Sequence, residues 1–153
     1  MPNNLSSPVL FSGQEDYTLD AKGRVTIPRN WRAEAGEGEA FHLVPDSKGA
    51  CLRVMRPDRF VQFGEEARIE LKMDAKTHRL FMRNFFANST PVTTDKQGRI
   101  MIPRDYCERL KLSGEIRLLG CGDLIEIWNH KALAACARDE ASSYQQATEA
   151  LGL

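Results

Sequence analysis

Two short segments set acids, bases and glycines at matched spacing. Thr18 to Arg29 reads T-L-D-A-K-G-R-V-T-I-P-R, and Thr93 to Arg104, 75 residues later, reads T-T-D-K-Q-G-R-I-M-I-P-R. Seven of the twelve aligned positions are identical, where average composition gives roughly one. The chain therefore carries an internal duplication. In the first copy Asp20 can turn its carboxylate onto nearby backbone N–H groups, and Gly23 supplies a positive φ at the turn. Lys22 and Arg24 then project two cations from the end of a strand, within reach of phosphates or of a guanine edge. Asp95, Gly98 and Arg99 repeat the arrangement, with Gln97 in place of the turn lysine. The competing reading makes Asp20–Arg24 a local ion pair that only braces the turn, and makes Lys22, Arg24 and Arg99 solvated charges.

Other chemistry finds less support. The four cysteines, at 51, 107, 121 and 136, form no C-x-x-C pair, and His42, His78 and His130 stand at no metal-ligand spacing. Buried free thiols are the simpler reading, and no metal or cofactor is expected. The nearest approach to a catalytic constellation is Cys121-Gly122-Asp123 with a distant His130, in no supporting context, so no catalytic residue is assigned.

The elements that must hold the two turns follow the same duplicated order. Arg24-Val25-Thr26-Ile27 alternates polar and apolar as a half-buried strand does, and Arg99 to Ile102 repeats it with Met101 in the polar place. Pro28 and Pro103 end these strands where a helix can begin; Pro103 to Leu110 is the second copy's short helix, stopped near Ser113-Gly114. Strands are expected at Phe41–Val44 and Ile116–Leu119, then at Leu52–Met55 and Ile125–Trp128. Between the repeats, Pro57 to about Glu70 reads as a helix with Phe60, Phe63, Ala67 and Leu71 on one stripe. A second helix runs from Thr77 to Ala87, with Leu80, Phe81, Phe85 and Phe86 apolar. Asn129 is an N-cap for a last amphipathic helix carrying Leu133, Cys136 or Ala137, Ala141 and Tyr144, and Thr148 to Leu153 is expected to fray. Arg29, Arg32 and Arg104 read as ordinary solvated helix charges. The aromatic stripes at Phe60/Phe63 and Phe81/Phe85/Phe86 suit core or subunit interface better than base stacking.

Composition sets the frame. The 153 residues are 42% hydrophobic and 27% charged, which suits a folded domain and excludes wholesale disorder. No run of 18 apolar residues offers a membrane span, and Met1 to Gln14 lacks the order of a signal peptide, so a cytoplasmic location is expected. With 21 basic and 21 acidic residues the net charge is zero, which by itself argues against a purely charge-driven nucleic-acid binder. The charges are grouped, however. Glu34, Glu37, Glu39 and Asp46 stand without a base, whereas Lys22, Arg24, Arg29 and Arg32 face one acid, and five bases from Arg68 to Arg83 face two. One face can therefore be positive on a neutral chain.

From Asp16 to Lys131 the chain resembles the MraZ family. The resemblance rests on D-x-K-G-R-V-x-I-P and D-x-Q-G-R-I-x-I-P, with C-L-R-V-M-R-P (51–57), R-L-F-M-R-N-F-F-A (79–87) and G-x-G-D-L-I-E-I-W (120–128). It implies an α+β fold: a duplicated swapped-hairpin, SpoVT-AbrB-like β barrel with flanking amphipathic helices. The repeats would span 15–58 and 90–133, with connecting helices at 59–89 and a C-terminal helix and tail at 134–153. It further implies a transcriptional regulator, associated with the nucleoid, that binds double-stranded DNA at repeated operator sites upstream of the division and cell-wall gene cluster. The chain would assemble as a homo-oligomeric ring, with part of the helical aromatic surface as the subunit contact. On that reading Lys22, Arg24, Gln97 and Arg99 contact DNA, while Asp20, Gly23, Asp95 and Gly98 brace the turns. Gln97 makes the halves unequal, and the leader Met1–Ser12 is longer than the family's usual start. The alternative is an AbrB-like antitoxin or protein-interaction scaffold, which would carry a disordered tail to wrap a toxin.

Overall fold

The computed structural model describes residues 10–33, 38–70, 72 and 74–153. Among these residues eight strands and four α-helices make an α+β arrangement. The first half holds β1 (Phe11–Thr18), β2 (Arg24–Thr26), β3 (Ala40–Pro45), β4 (Leu52–Met55) and α1 (Pro57–Glu70); α2 (Ala75–Ala87) follows. The second half holds β5 (Thr90–Thr93), β6 (Arg99–Met101), α3 (Arg104–Leu110), β7 (Glu115–Gly122), β8 (Ile125–Asn129) and α4 (His130–Ala150).

Among the described residues six strands form one antiparallel sheet in the order β1-β7-β8-β4-β3-β5, open where a closed barrel was expected, and β2 pairs with β6 in a separate ribbon. Both arrangements interleave the two copies. The first strand of each half pairs in the other half: β1 with β7, and β5 with β3. In the ribbon Val25 stands directly opposite Ile100, its counterpart in the duplication, and in the sheet Arg53 stands opposite Glu126. An approximate two-fold axis thus runs between β4 and β8 and through the middle of the ribbon. Neither half completes its sheet alone.

Strand alternation divides the side chains into two cores. Val25, Ile27, Ile100 and Ile102 point from the ribbon into one cluster with Phe11, Trp31, Phe41, Leu43, Leu52, Val54, Ile116, Leu118, Ile125 and Ile127. Each such fully buried side chain stabilises the fold by about 1.5–3 kcal/mol. On the opposite face Val44, Met55, Phe60 and Leu124 pack with Phe63, Phe85 and Phe86. The aromatic rings of α1 and α2 meet one another here, Phe60 lying 4.6 Å from Phe86 and 5.2 Å from Phe85 by ring centroid, and Phe81 stacking on Phe85 at 5.2 Å. The rings expected to lie at a subunit contact thus engage each other within the chain. The large apolar side chains left exposed on these helices are Val61, Ile69 and Leu80.

Helix α1 has the bounds expected from its periodicity, with Phe60, Gly64 and Ala67 buried; Leu71 of the expected stripe lies outside the described residues. Helix α2 starts two residues before the expected Thr77, because Asp74 caps it by accepting from the Thr77 N–H at 2.7 Å. Asn129 caps α4 in the same way through Ala132. The last turn of α4 is helical to Ala150, not frayed. Gln145 bonds Glu149, and Gly152 at φ 75° lets the Leu153 N–H reach the Thr148 carbonyl, a glycine C-cap that satisfies the final turn. After Pro28 only a 3-10 turn forms, Arg29–Trp31, where α3 follows Pro103. Helix α3 carries the i,i+4 pairs Arg104–Glu108 and Asp105–Arg109. The first copy offers Arg29 and Ala33 at the first of these places, and Gly36 and Gly38 follow. Lys111, at φ 54°, ends α3 before Ser113.

A candidate nucleic-acid interface on the paired turns

Each turn is built around one carboxylate. In the first, Asp20 Oδ1 accepts from the backbone N–H of Lys22 at 2.9 Å and of Arg24 at 2.8 Å, while Oδ2 accepts from Arg24 Nε at 2.7 Å. In the second, Asp95 Oδ1 accepts from Gln97 and Arg99, both at 2.9 Å, and Oδ2 from Arg99 Nε at 2.8 Å. The backbone closes each turn again, Gly23 donating to Asp20 and Gly98 to Asp95. These bonds, led by the one from the Arg24 backbone, hold the Asp20 carboxyl down at about 2. Those from Arg99 lower Asp95 in the same sense. Both acids are therefore anionic braces near neutral pH.

The turns are locked to one another. The Ile102 N–H donates to the Gly23 carbonyl at 2.7 Å, and the Ile27 N–H to the Gly98 carbonyl at 3.0 Å. Gly23 sits at φ +84°, and a Cβ there would stand 2.6 Å from the Ile102 carbonyl oxygen, so this position needs glycine for two reasons.

With Val25 and Ile100 facing inward, alternation turns Arg24, Thr26, Arg99 and Met101 outward on one ribbon face. Arg24 stands opposite Met101, and Thr26 opposite Arg99. The arginine side chains are 30% and 28% exposed. Among the described residues the aspartates engage only Nε, so Arg24 keeps both terminal nitrogens for an outside acceptor and Arg99 keeps Nη1. Arg99 adds a long bond of 3.4 Å to Gln97 Oε1. Lys22 and Gln97 are exposed at the turn tips. The structure thus brings Lys22 and Arg24 together on one turn, Gln97 and Arg99 on the other, and joins both turns in a single ribbon.

Three residues near this face escape sequence reading. Lys96, exposed beside Gln97, restores a cation to the second turn tip, where the first copy has Ala21. Arg32 is no solvated helix charge: its guanidinium lies against Gly98, and its Nε is buried without a partner among the described residues. Cys107 holds the matching place in the second copy. A groove of about 760 Å³ opens there, lined by Asp20, Lys22, Met101, Ile102, Arg104 and Cys107. Arg29 is exposed as expected, and Arg104 is 93% exposed.

The remaining candidates separate. Cys121 and His130 sit at opposite ends of the β7–β8 hairpin, where Gly120 pairs with Ile125 and Ile116 with Asn129. Asp123 is held by Arg59 at 2.6 Å. Of the thiols only Cys51 is buried; Cys107 and Cys136 are half-buried and Cys121 is exposed at the strand end, which corrects the expectation of buried cysteines. Burial pushes the Cys51 thiol up to about 12, and partial desolvation at the strand end with the Glu126 carboxylate nearby pushes Cys121 to about 11, so neither is an activated nucleophile. Among the described residues, Asp16, Glu115 and His130 bring possible ligand atoms within 4.8 Å of one another. Arg117 already binds Asp16 through both oxygens, at 2.9 and 3.2 Å, so that carboxylate is committed to an ion pair. No helix among the described residues is long and apolar enough to cross a membrane.

Comparison with known proteins agrees with the duplicated turns. The family model described as "MraZ protein, putative antitoxin-like" matches twice, over residues 10–84 and 85–153. The Transcriptional regulator MraZ of Carboxydothermus hydrogenoformans is 33% identical over 140 residues, 92% of this chain and 95% of the relative. The protein of the same name from Syntrophobacter fumaroxidans is 34% identical over 139 residues, 91% and 92% of the two chains.

Proposed function

The chain belongs to the MraZ family, and on that footing we propose that it is a sequence-specific DNA-binding transcriptional regulator with no catalytic role. Its ribbon would enter a groove of the duplex. The observation that carries this reading is the pair of arginines, each braced by its own aspartate, on one outward face of a two-stranded ribbon. A major groove admits such a ribbon, and arginine presented end-on suits guanine O6 and N7 together. Lys22 serves the phosphates at one end; Lys96 and Gln97 serve the other.

The strand exchange between halves supports a swapped-hairpin, SpoVT-AbrB-type duplication, with repeats at 15–58 and 90–133, connecting helices at 59–89 and the C-terminal helix and tail at 134–153. The operator consists of repeated sites upstream of the division and cell-wall gene cluster, and the protein works in the cytoplasm on the nucleoid. A neutral chain with two turns makes few phosphate contacts and binds weakly alone. Copies closed in a ring place several turns on adjacent repeats and gain avidity. The exposed Val61, Ile69 and Leu80 supply apolar surface for that contact. An antitoxin or scaffold role fits less well, since helix α4 continues to Ala150 where a toxin-wrapping tail would be unstructured.

The test is a titration of the purified chain on DNA from upstream of its own gene, at several salt concentrations, with light scattering in parallel. The reading requires binding that outlasts competitor DNA, a mass well above 17.2 kDa, and a steep loss of affinity when the site is cut to one repeat. A strict monomer that binds one repeat as tightly as the array would refute the ring. Binding indifferent to sequence would refute the regulator.

A further inference from the structure

The ribbon's two-fold symmetry is broken on the face it presents. Around Arg24 the neighbouring outward side chain is Met101, contributed by the second repeat; around Arg99 it is Thr26, contributed by the first. These are counterparts in the duplication, so each end of the ribbon is a composite of both repeats, and beside the turn-tip differences the two arginines differ in this one cross-strand neighbour. Cross-strand partners place their Cβ atoms about 4.5–5.5 Å apart. Whatever base lies next to the one engaged by an arginine therefore meets that arginine's partner. Met101 is 52% exposed, so its thioether is open to whatever approaches that face. It also borders the groove beside Lys22 and Cys107, so its side chain has room to move.

We propose that Met101 is a specificity-determining residue that contacts the C5-methyl group of a thymine beside the base read by Arg24, so that the chain recognises an asymmetric site. This rests on the DNA-binding reading above. In the major groove thymine alone among the four bases presents a methyl group, and an apolar side chain is its natural partner. Thr26 discriminates less, because its hydroxyl serves a donor or an acceptor and its methyl is small. The two half-sites would accordingly share a guanine and differ at the neighbouring position, with thymine required at one end and tolerated at the other.

The experiment selects sequences from a randomised double-stranded DNA library with the intact chain, with Met101→Thr, which gives both arginines a threonine neighbour, and with Thr26→Met, which gives both the thioether. Circular dichroism and retained binding to bulk DNA establish that each variant is folded. The intact chain should enrich an asymmetric consensus with thymine on one side. Met101→Thr should lose that thymine, and Thr26→Met should gain one in the other half. In the selected duplex, deoxyuridine at the thymine removes only the methyl; it should weaken the intact chain about three- to fourfold, as burial of one carbon does, and leave Met101→Thr unchanged. If all three proteins enrich the same sequence, or deoxyuridine changes nothing, Met101 reads no base and the proposal fails while DNA binding stands. If the intact chain enriches no sequence, the DNA-binding reading fails and this proposal with it.

Discussion

Replacing Gly23 and Gly98 separately by alanine gives two changes that look equivalent in the sequence and are unequal in the structure. Both glycines have φ well above zero, +84° and +77°, so an alanine costs about 1–2 kcal/mol in backbone strain at either place. The Cβ at 23 would in addition stand 2.6 Å from the Ile102 carbonyl oxygen, where ordinary contact begins at 3.4 Å. That oxygen is backbone, and the adjacent Ile102 N–H holds the Gly23 carbonyl at 2.7 Å, so relief means opening the lock between the turns, about 1 kcal/mol more. Gly23→Ala should therefore cost about 2–3 kcal/mol. At Gly98 the three nearest atoms all belong to the Arg32 guanidinium group, the third at 3.0 Å. A side chain can swing away, and Gly98→Ala should cost only about 1–2 kcal/mol. Urea unfolding followed by circular dichroism at one fixed protein concentration measures both, with unchanged m-values as the check on two-state behaviour. A loss at Gly98 equal to or larger than that at Gly23 would mean that the Ile102 carbonyl does not set the difference between the turns.

Three further outcomes follow from the same geometry. His42 stacks on Phe60 at 4.2 Å, and burial lowers its pKa, so its contribution is complete above the ordinary value near 6.5 and is lost as the pH falls below it. The melting temperature should therefore drop between pH 7 and 5.5, and His42→Phe should flatten that drop. Asp20, held down at about 2, contributes stability that is present above about pH 4 and lost as the pH falls from there through 2. Asp20→Asn should remove that part of the acid transition, and an unchanged acid profile would count against the brace. Cys51, 1% exposed and with its thiol pushed up to about 12, should resist iodoacetamide at pH 8 until the chain is unfolded; prompt labelling of the native protein would contradict its burial.

What the sequence discloses about this fold depends on distance along the chain. The turns were legible because Asp20, Gly23 and Arg24 act within five residues, and Pro57–Glu70 because its apolar period needs no partner to be seen. Strands β1 and β5 were not separately identified. They lie at the sheet edges, β1 is mostly exposed and shows little alternation, and β5 contains Pro91, which an edge strand tolerates. The pairing of each first strand with the other repeat is written in neither repeat alone. Arg32 was misread because its partner, Gly98, is 66 residues away, and the exposed Met101 gained meaning only when β6 placed it opposite Arg24.

On the proposed function the braced arginines, and not the molecule's charge in general, would hold DNA. The most direct measurement is the affinity of Arg24→Ala, beside the intact chain, for the upstream DNA at near-physiological salt. The Asp20–Arg24 pair is partly exposed, so its loss should cost at most about 1 kcal/mol of stability. A lost guanine contact costs about 1–3 kcal/mol for each turn engaged. The expected outcome is a folded variant, of unchanged mass by light scattering, whose specific affinity falls at least tenfold while its weak binding to bulk DNA persists. A folded Arg24→Ala chain that binds the upstream DNA as tightly as the parent would contradict it.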